Sequence, residues 1–218
     1  MKKLFTLILS IFTLTSCKSQ KFQDGDIIFQ TSRSSQSSMI QTVTGSDLTH
    51  CGIIYYKDNK PYVFEAVNPV KLTPLNQWIA RGVGGRYKVV RLKYVLRDNH
   101  KEIMFNYAKR QLGKQYDLKF QWSDNKMYCS ELVWKIYRSS GYTLSDPKTF
   151  SDYDLTNGIV KNEIKRRYGS SINMNEKIVS PVDLCHINVG IVNLKCLANP
   201  MLSVGFWGSN GWVENFSP

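Results

Sequence analysis

Thr49-His50-Cys51-Gly52-Ile53-Ile54-Tyr55-Tyr56-Lys57-Asp58-Asn59-Lys60-Pro61-Tyr62-Val63-Phe64-Glu65-Ala66-Val67 reads as two strands joined by a tight turn. Residues 51–57 and 61–67 are rich in β-branched and aromatic side chains, and the polar Asp58-Asn59-Lys60 between them signals a hairpin. If Asp58-Asn59 forms a two-residue turn, Lys57 pairs with Lys60 and Gly52 with Glu65. Opposed residues share a face and side chains alternate along a strand, so Glu65, Gly52 and His50 lie on one face. His50 then opposes Val67 and has Glu65 as its diagonal neighbour, roughly 7–8 Å away between backbones and within reach of long side chains. A slip of one residue would put the two on opposite faces. Glu65 also interrupts an apolar run, where a carboxylate is costly unless it has a partner or faces solvent.

Upstream, the turn-forming Asp24-Gly25 leads into a strand over residues 26–30. The Ser/Thr/Gln-rich residues 31–38 have the composition of a disordered segment, with Met39, Ile40 and Val43 marking a short helix at its far end. Downstream, residues 75–81 suggest a short helix stopped by Gly82, followed by a strand over residues 87–92. Residues 99–112 form a clear amphipathic helix, with Ile103, Met104, Tyr107, Ala108 and Leu112 as its apolar stripe and Gly113 as its stop. A second helix starts near Cys129, carries Leu132, Val133, Ile136 and Tyr137 on one face and stops at Gly141. Residues 146–157 read as loop, and a basic helix with Lys161, Lys165, Arg166 and Arg167 follows. Residues 189–218 show no assignable period and are left as an unassigned tail.

The first 17 residues read as a signal peptide. Lys2 and Lys3 precede an apolar run that is too short to span a membrane. The run ends in Leu14-Thr15-Ser16-Cys17, which resembles the lipobox of bacterial lipoproteins. Cys17 is therefore the candidate lipidation site; an ordinary secretory signal with a chance cysteine is the alternative. Residues 18–23 would be a tether and residues 24–218 one domain, anchored to a membrane of the bacterial cell envelope. Loss of residues 1–17 removes two lysines and no acid, taking the formal charge from +12 to +10. That excess favours anionic partners such as lipid headgroups and wall polymers. The bases are scattered rather than blocked and no nucleic-acid motif is visible, so nucleic acid is not an expected partner. With three histidines (His50, His100, His186) and no C-x-x-C pair, no metal site or other cofactor is expected. Among Cys17, Cys51, Cys129, Cys185 and Cys196, the first candidate for a disulfide is Cys185 with Cys196, while Cys51 reads as a small buried residue.

Cys129 draws its interest from Tyr128-Cys129-Ser130-Glu131 at a helix start. The partial positive charge and free N–H groups there favour a thiolate, and a nearby imidazolium favours it more. Glu131 in the first turn opposes this unless its side chain turns away. Cysteine nucleophile, imidazole base and carboxylate orienter form a set able to split an amide bond. Taken singly, each residue has a bland account: a core cysteine, a hydrogen-bonded histidine and an exposed glutamate.

Six strings occur in order along the chain. They are Gly25-Asp26-Ile27-Ile28-Phe29, Thr49-His50-Cys51-Gly52-Ile53-Ile54, Glu65-Ala66-Val67, Gly113-Lys114-Gln115-Tyr116-Asp117, Tyr128-Cys129-Ser130-Glu131-Leu132-Val133 and Ser180-Pro181-Val182-Asp183-Leu184. Together they resemble the circularly permuted papain-like amidases of the NlpC superfamily, YiiX type, over residues 24–184. The resemblance implies an α+β papain-like fold, circularly permuted, with an antiparallel sheet packed against helices and the histidine ahead of the cysteine. It implies Cys129 as nucleophile, His50 as general base and then acid, and Glu65 as the group that orients the imidazole. The backbone N–H of Cys129 and a tyrosine, Tyr116 or Tyr128, would stabilise the oxyanion. The departure is Cys51, a thiol where the family more usually has none. The expected substrate is a peptide or other amide, of cell-wall origin on the grounds of location. A lipid-acting acyltransferase or hydrolase, and a binding module without catalysis, are the alternatives.

Overall fold

The hairpin forms in the expected register. In the computed structural model, which describes residues 22–93 and 95–185 and the backbone of Ile191–Leu194, Lys57 pairs with Lys60 and Ile53 with Phe64. Asp58 and Asn59 have φ of 50° and 59°, the left-handed values that a two-residue turn needs to match strand twist. Gly52, opposite Glu65, is required by close approach: a Cβ there would lie 2.4 Å from Val63 Cγ1 and 2.5 Å from the Phe64 carbonyl oxygen.

The hairpin strands, β2 (His50–Lys57) and β3 (Lys60–Glu65), sit inside a sheet completed by β1 (Ile27–Gln30), β4 (Lys71–Pro74), β5 (Lys88–Leu92) and a closing strand Ile191–Leu194. The order is closing strand, β5, β1, β2, β3, β4, and every neighbouring pair is antiparallel. The closing strand gives a place in the sheet to four residues of the segment that carries no readable period. Cys17 and Cys196, with the lipidation and the Cys185–Cys196 pairing that rest on them, lie outside the described residues.

Alternation assigns the two faces of the sheet. Ile27, Phe29, Cys51, Ile53 and Phe64 point to a core shared with α3 (Asp98–Gln111) and α4 (Cys129–Ser139). Ile28, Ile54, Val63 and Val89 point the other way, beneath Leu75 and Trp78 of α2 (Leu75–Arg81). A third cluster joins α1 (Ser37–Thr44) to α5 (Gly158–Tyr168) through Met39, Phe120, Tyr128, Phe150 and Val160.

The apolar face of α4 is as expected, with Leu132, Val133, Ile136 and Tyr137 fully buried. That of α3 is turned from expectation. Ile103 and Leu112 are 45% and 44% exposed, while Met104, Phe105, Ala108 and Gln111 are buried. Phe105 decides the rotation, because its ring packs on those of Tyr55 and Phe64 at centroid distances of 4.3 and 6.1 Å.

The polar segment before α1 is ordered by hydrogen bonds to Thr49, just ahead of β2, rather than by burial. Ser37 Oγ lies 2.8 Å from Thr49 Oγ1, which also accepts the Ser32 N–H at 2.8 Å. Lys148–Thr149, inside the expected loop, pairs with Lys177–Ile178 beyond α5 as a short ladder. Asn157 caps α5 by accepting the Ile159 N–H at 2.9 Å. On α5, Arg167 is buried, its Nε donating to Glu163 at 2.7 Å and Nη1 to the Leu118 carbonyl at 2.6 Å.

Candidate active site

Because β2 and β3 pair in this register, His50 and Glu65 emerge on the α2 side of the sheet as diagonal neighbours. His50 Nε2 lies 2.7 Å from Glu65 Oε2, and both side chains are buried. Glu65 has two further partners. Thr73 on β4 donates to Oε1 at 2.6 Å, and Arg81 at the end of α2 donates to Oε2. Trp78, three residues before Arg81, stacks on the imidazole at a centroid distance of 5.8 Å. Burial alone would raise the Glu65 pKa, but the bonds and charge of His50, with Thr73 and Arg81, hold it down at about 2.

Cys129 arrives from the other side of the sheet. The body of α4 packs on the face that carries Cys51, while its first residue, Cys129, meets His50 at the start of β2. Nε2 is engaged by Glu65, so Nδ1 is the nitrogen left for the thiol. Cys129 receives hydrogen bonds from the Cys51 thiol, from His50 and from the Cys51 backbone N–H. The Cys51 bond is the largest influence; together with the His50 charge these outweigh burial and bring the Cys129 pKa well below that of an ordinary thiol. His50 moves the opposite way. Burial lowers its pKa, yet the bonds and charges of Cys129 and Glu65 raise it to about 9. The two shifts run in the directions that favour a thiolate–imidazolium pair.

Cys51 thus does more than fill core space. Its own thiol is pushed well above an ordinary pKa, first by burial and then by the Cys129 sulfur it donates to, so it stays protonated.

The two tyrosines separate. Tyr116 is driven well above its usual pKa by burial and by the charge of Cys129, to whose sulfur its hydroxyl donates. The Tyr128 hydroxyl is turned away and accepts the Val179 N–H at 3.2 Å. Glu131 also turns away from the thiolate. Its Oε2 accepts the Tyr128 N–H at 3.3 Å and its Oε1 pairs with Lys135 Nζ at 2.8 Å. Burial lifts Glu131 to about 7 against the pull of Lys135, which weakens its opposition to the anion.

Thr73, Trp78 and Arg81 escape a reading of the sequence. Four residues with a terminal proline gave β4 no strand signal, and nothing in residues 75–81 points their side chains at Glu65. Alternation across β3 and β4, where Val63 pairs with Thr73, is what places Thr73 diagonal to Glu65.

The family described as "Permuted papain-like amidase enzyme, YaeF/YiiX, C92 family" matches residues 21–189. The chain belongs to this family. It is 46% identical over 176 residues to YiiX of Escherichia coli (strain K12), covering 80% of this chain and 87% of that protein. The crystal structure of metalloprotein YiiX from Escherichia coli O157:H7 superposes with a TM-score of 0.76 at 44% identity, covering 80% of this chain and 97% of that one. The permuted papain-like architecture explains why His50 and Glu65 precede the cysteine. Although that relative is described as a metalloprotein, among the described residues no three His, Cys, Asp or Glu side chains converge as a ligand set. His50 and Glu65 are moreover committed to each other and to Thr73 and Arg81, so these residues do not suit a metal.

Proposed function

We propose that this protein is a membrane-tethered cysteine amidase in which Cys129 is the nucleophile, His50 the base and acid, and Glu65 the orienting carboxylate. The observation that carries the reading is the buried His50, held by Glu65 at 2.7 Å on one side and meeting Cys129 at the start of α4 on the other. The Cys129 thiolate attacks the amide carbonyl, forming the S–C bond and placing negative charge on the oxygen. The Cys129 N–H at the helix start and the Tyr116 hydroxyl stabilise that charge. The His50 imidazolium then protonates the amine nitrogen as the C–N bond breaks. Water, giving its proton to His50, attacks the thioester and releases the acid and the thiolate.

Lipidation of Cys17, with the signal peptide cut just before it, supplies the tether and puts the domain in the cell envelope. Among the described residues no helix is long and apolar enough to cross a membrane. Location alone favours cell-wall peptides as the source of the amide. The apolar cleft beside Cys129 favours the second reading, an enzyme acting on a lipid acyl group.

Thiol labelling tests the assignment. Cys129 is expected to react with iodoacetamide down to about pH 5, far below the range of a free thiol, and His50→Ala is expected to abolish that advantage. Reaction no faster than a free thiol, unaffected by His50→Ala, would show that Cys129 is not an activated nucleophile. Retention of Cys17→Ala protein in the membrane fraction would rule out the lipid tether.

A further inference from the structure

Cys51 and Cys129 lie in one buried cluster, because the body of α4 packs on the sheet face that carries Cys51. The Cys51 thiol and backbone N–H both donate to the Cys129 sulfur, so the two sulfurs are in direct contact. Neither is in a disulfide. They differ in what can reach them. Cys129 is 3% exposed and lines the cleft between α1 and α5, which opens to solvent. Cys51 is 0% exposed and takes no part in the lining of that cleft. A small oxidant entering the cleft therefore meets the Cys129 sulfur and not that of Cys51. As a hydrogen-bond donor alone, Cys51 does nothing that a hydroxyl would not do as well. What a hydroxyl lacks is the ability to bond covalently to a neighbouring sulfur.

We propose that Cys129 is a site of reversible oxidation and that Cys51 is its resolving thiol. In the first step a hydroperoxide transfers its terminal oxygen to the Cys129 thiolate. The S–O bond forms, the O–O bond breaks and the sulfur loses two electrons to the peroxide. The other oxygen leaves as water or an alcohol with the proton held on His50. The product is a sulfenic acid, which further peroxide would carry irreversibly to sulfinic and sulfonic acids. In the second step the Cys51 sulfur attacks the sulfenic sulfur: the S–S bond forms, the S–O bond breaks, and hydroxide leaves with the Cys51 proton as water. The first step prepares the second, because it removes the Cys129 charge that helps to keep Cys51 protonated. A disulfide needs its sulfurs about 2 Å apart, a short approach for two that are already hydrogen-bonded. The bonded sulfur cannot attack a carbonyl, so on the amidase reading the disulfide switches hydrolysis off and shields the nucleophile. A thiol reductant entering the cleft attacks the Cys129 sulfur and restores the pair by exchange.

The test uses the full chain in phosphatidylcholine nanodiscs, exposed to graded hydrogen peroxide and then cleared of it. Peptide mapping without reductant is expected to find Cys51 joined to Cys129, lighter by two hydrogens than the separate peptides. Dithiothreitol is expected to return Cys129 labelling by iodoacetamide to within about twofold of the untreated rate. Cys51→Ser keeps a donor to the sulfur but cannot form the bond. Its Cys129 is expected to pass to sulfinic and sulfonic acid, leaving labelling after dithiothreitol about tenfold or more below that variant's own untreated rate. The peptide map needs no variant, so it decides the matter even where Cys51→Ser folds poorly. Equal recovery in wild type and Cys51→Ser would overturn the proposal. So would wild-type Cys129 passing to sulfinic acid with no linked peptide, or a bond from Cys129 to Cys185 or Cys196 in place of Cys51. Each of these leaves the cysteine hydrolase standing. Slow labelling by iodoacetamide before any peroxide is added would instead remove the activated thiolate, and with it both this proposal and the amidase reading.

Discussion

Glu65 holds His50 from the adjacent strand, Oε2 to Nε2 at 2.7 Å, and is itself held by Thr73 and Arg81. A carboxylate with three partners cannot swing away, so the imidazole it grips has one orientation and presents Nδ1 to Cys129. Glu65→Gln retains the shape but removes the charge that supports the imidazolium. It is expected to reduce hydrolysis and iodoacetamide reactivity at neutral pH by tenfold or more, equivalent to about 1.4 kcal/mol. The reactivity profile against pH should shift toward that of an ordinary thiol, whereas a purely structural loss would scale the profile without moving it.

The same carboxylate links stability to acid. Its pKa falls from 4.5 in the unfolded chain to about 2 in the fold, so its stabilisation is complete above the higher value and is lost as pH falls through the lower one. The stability difference between wild type and Glu65→Gln is therefore expected to shrink between about pH 4.5 and pH 2 in urea titrations. His50 and Cys129 behave otherwise. The raised His50 pKa alone would give stability present below 6.5 and lost through about 9. The lowered Cys129 pKa opposes it, because folding moves a proton from sulfur to nitrogen without changing the number bound near neutrality. Cys129→Ala breaks this compensation: it removes the sulfur that holds the His50 proton, and His50 is expected to titrate below 9 by NMR.

Cys51 acts on the Cys129 sulfur by donating a hydrogen bond to it. Cys51→Ala removes that donor and should raise the pH at which Cys129 becomes reactive, while Cys51→Ser, which keeps a donor, should restore much of the shift. Equal behaviour of the two variants would assign Cys51 to packing alone.

Tyr116 presents its hydroxyl to the Cys129 sulfur, next to where the proposed reaction puts charge on the substrate oxygen. Tyr116→Phe is expected to lower kcat about a hundredfold with little change in KM, the behaviour of a donor used in the transition state. Tyr128→Phe loses only a bond from the Val179 N–H and should show up in stability instead.

Gly52 is held by the hairpin itself. Gly52→Ala would drive a Cβ to 2.5 Å from the Phe64 carbonyl oxygen, next to Glu65. A loss of about 1–3 kcal/mol is expected in thermal or urea unfolding, with reduced activity through the displaced carboxylate.

Local pattern in the chain determined a good deal. Two β-rich runs around Asp58-Asn59 set the hairpin register, because a two-residue turn leaves one pairing and alternation does the rest. That register by itself puts His50 and Glu65 on one face as diagonal neighbours. The period of α4 likewise marked its buried face, since every apolar residue on it lies within two turns. Elsewhere the decision lay with distant partners. The face of α3 was settled by Phe105 finding Tyr55 and Phe64, and the polar segment before α1 was ordered by Thr49. Thr73, Trp78, Arg81 and Cys51 joined the site through strand pairing and helix packing, which bring together residues that no spacing connects. The cleft beside Cys129 is the furthest from sequence. Its apolar wall arises because hydroxyls that look polar in the chain spend their hydrogen bonds on neighbours, and that choice exists only once the fold has closed.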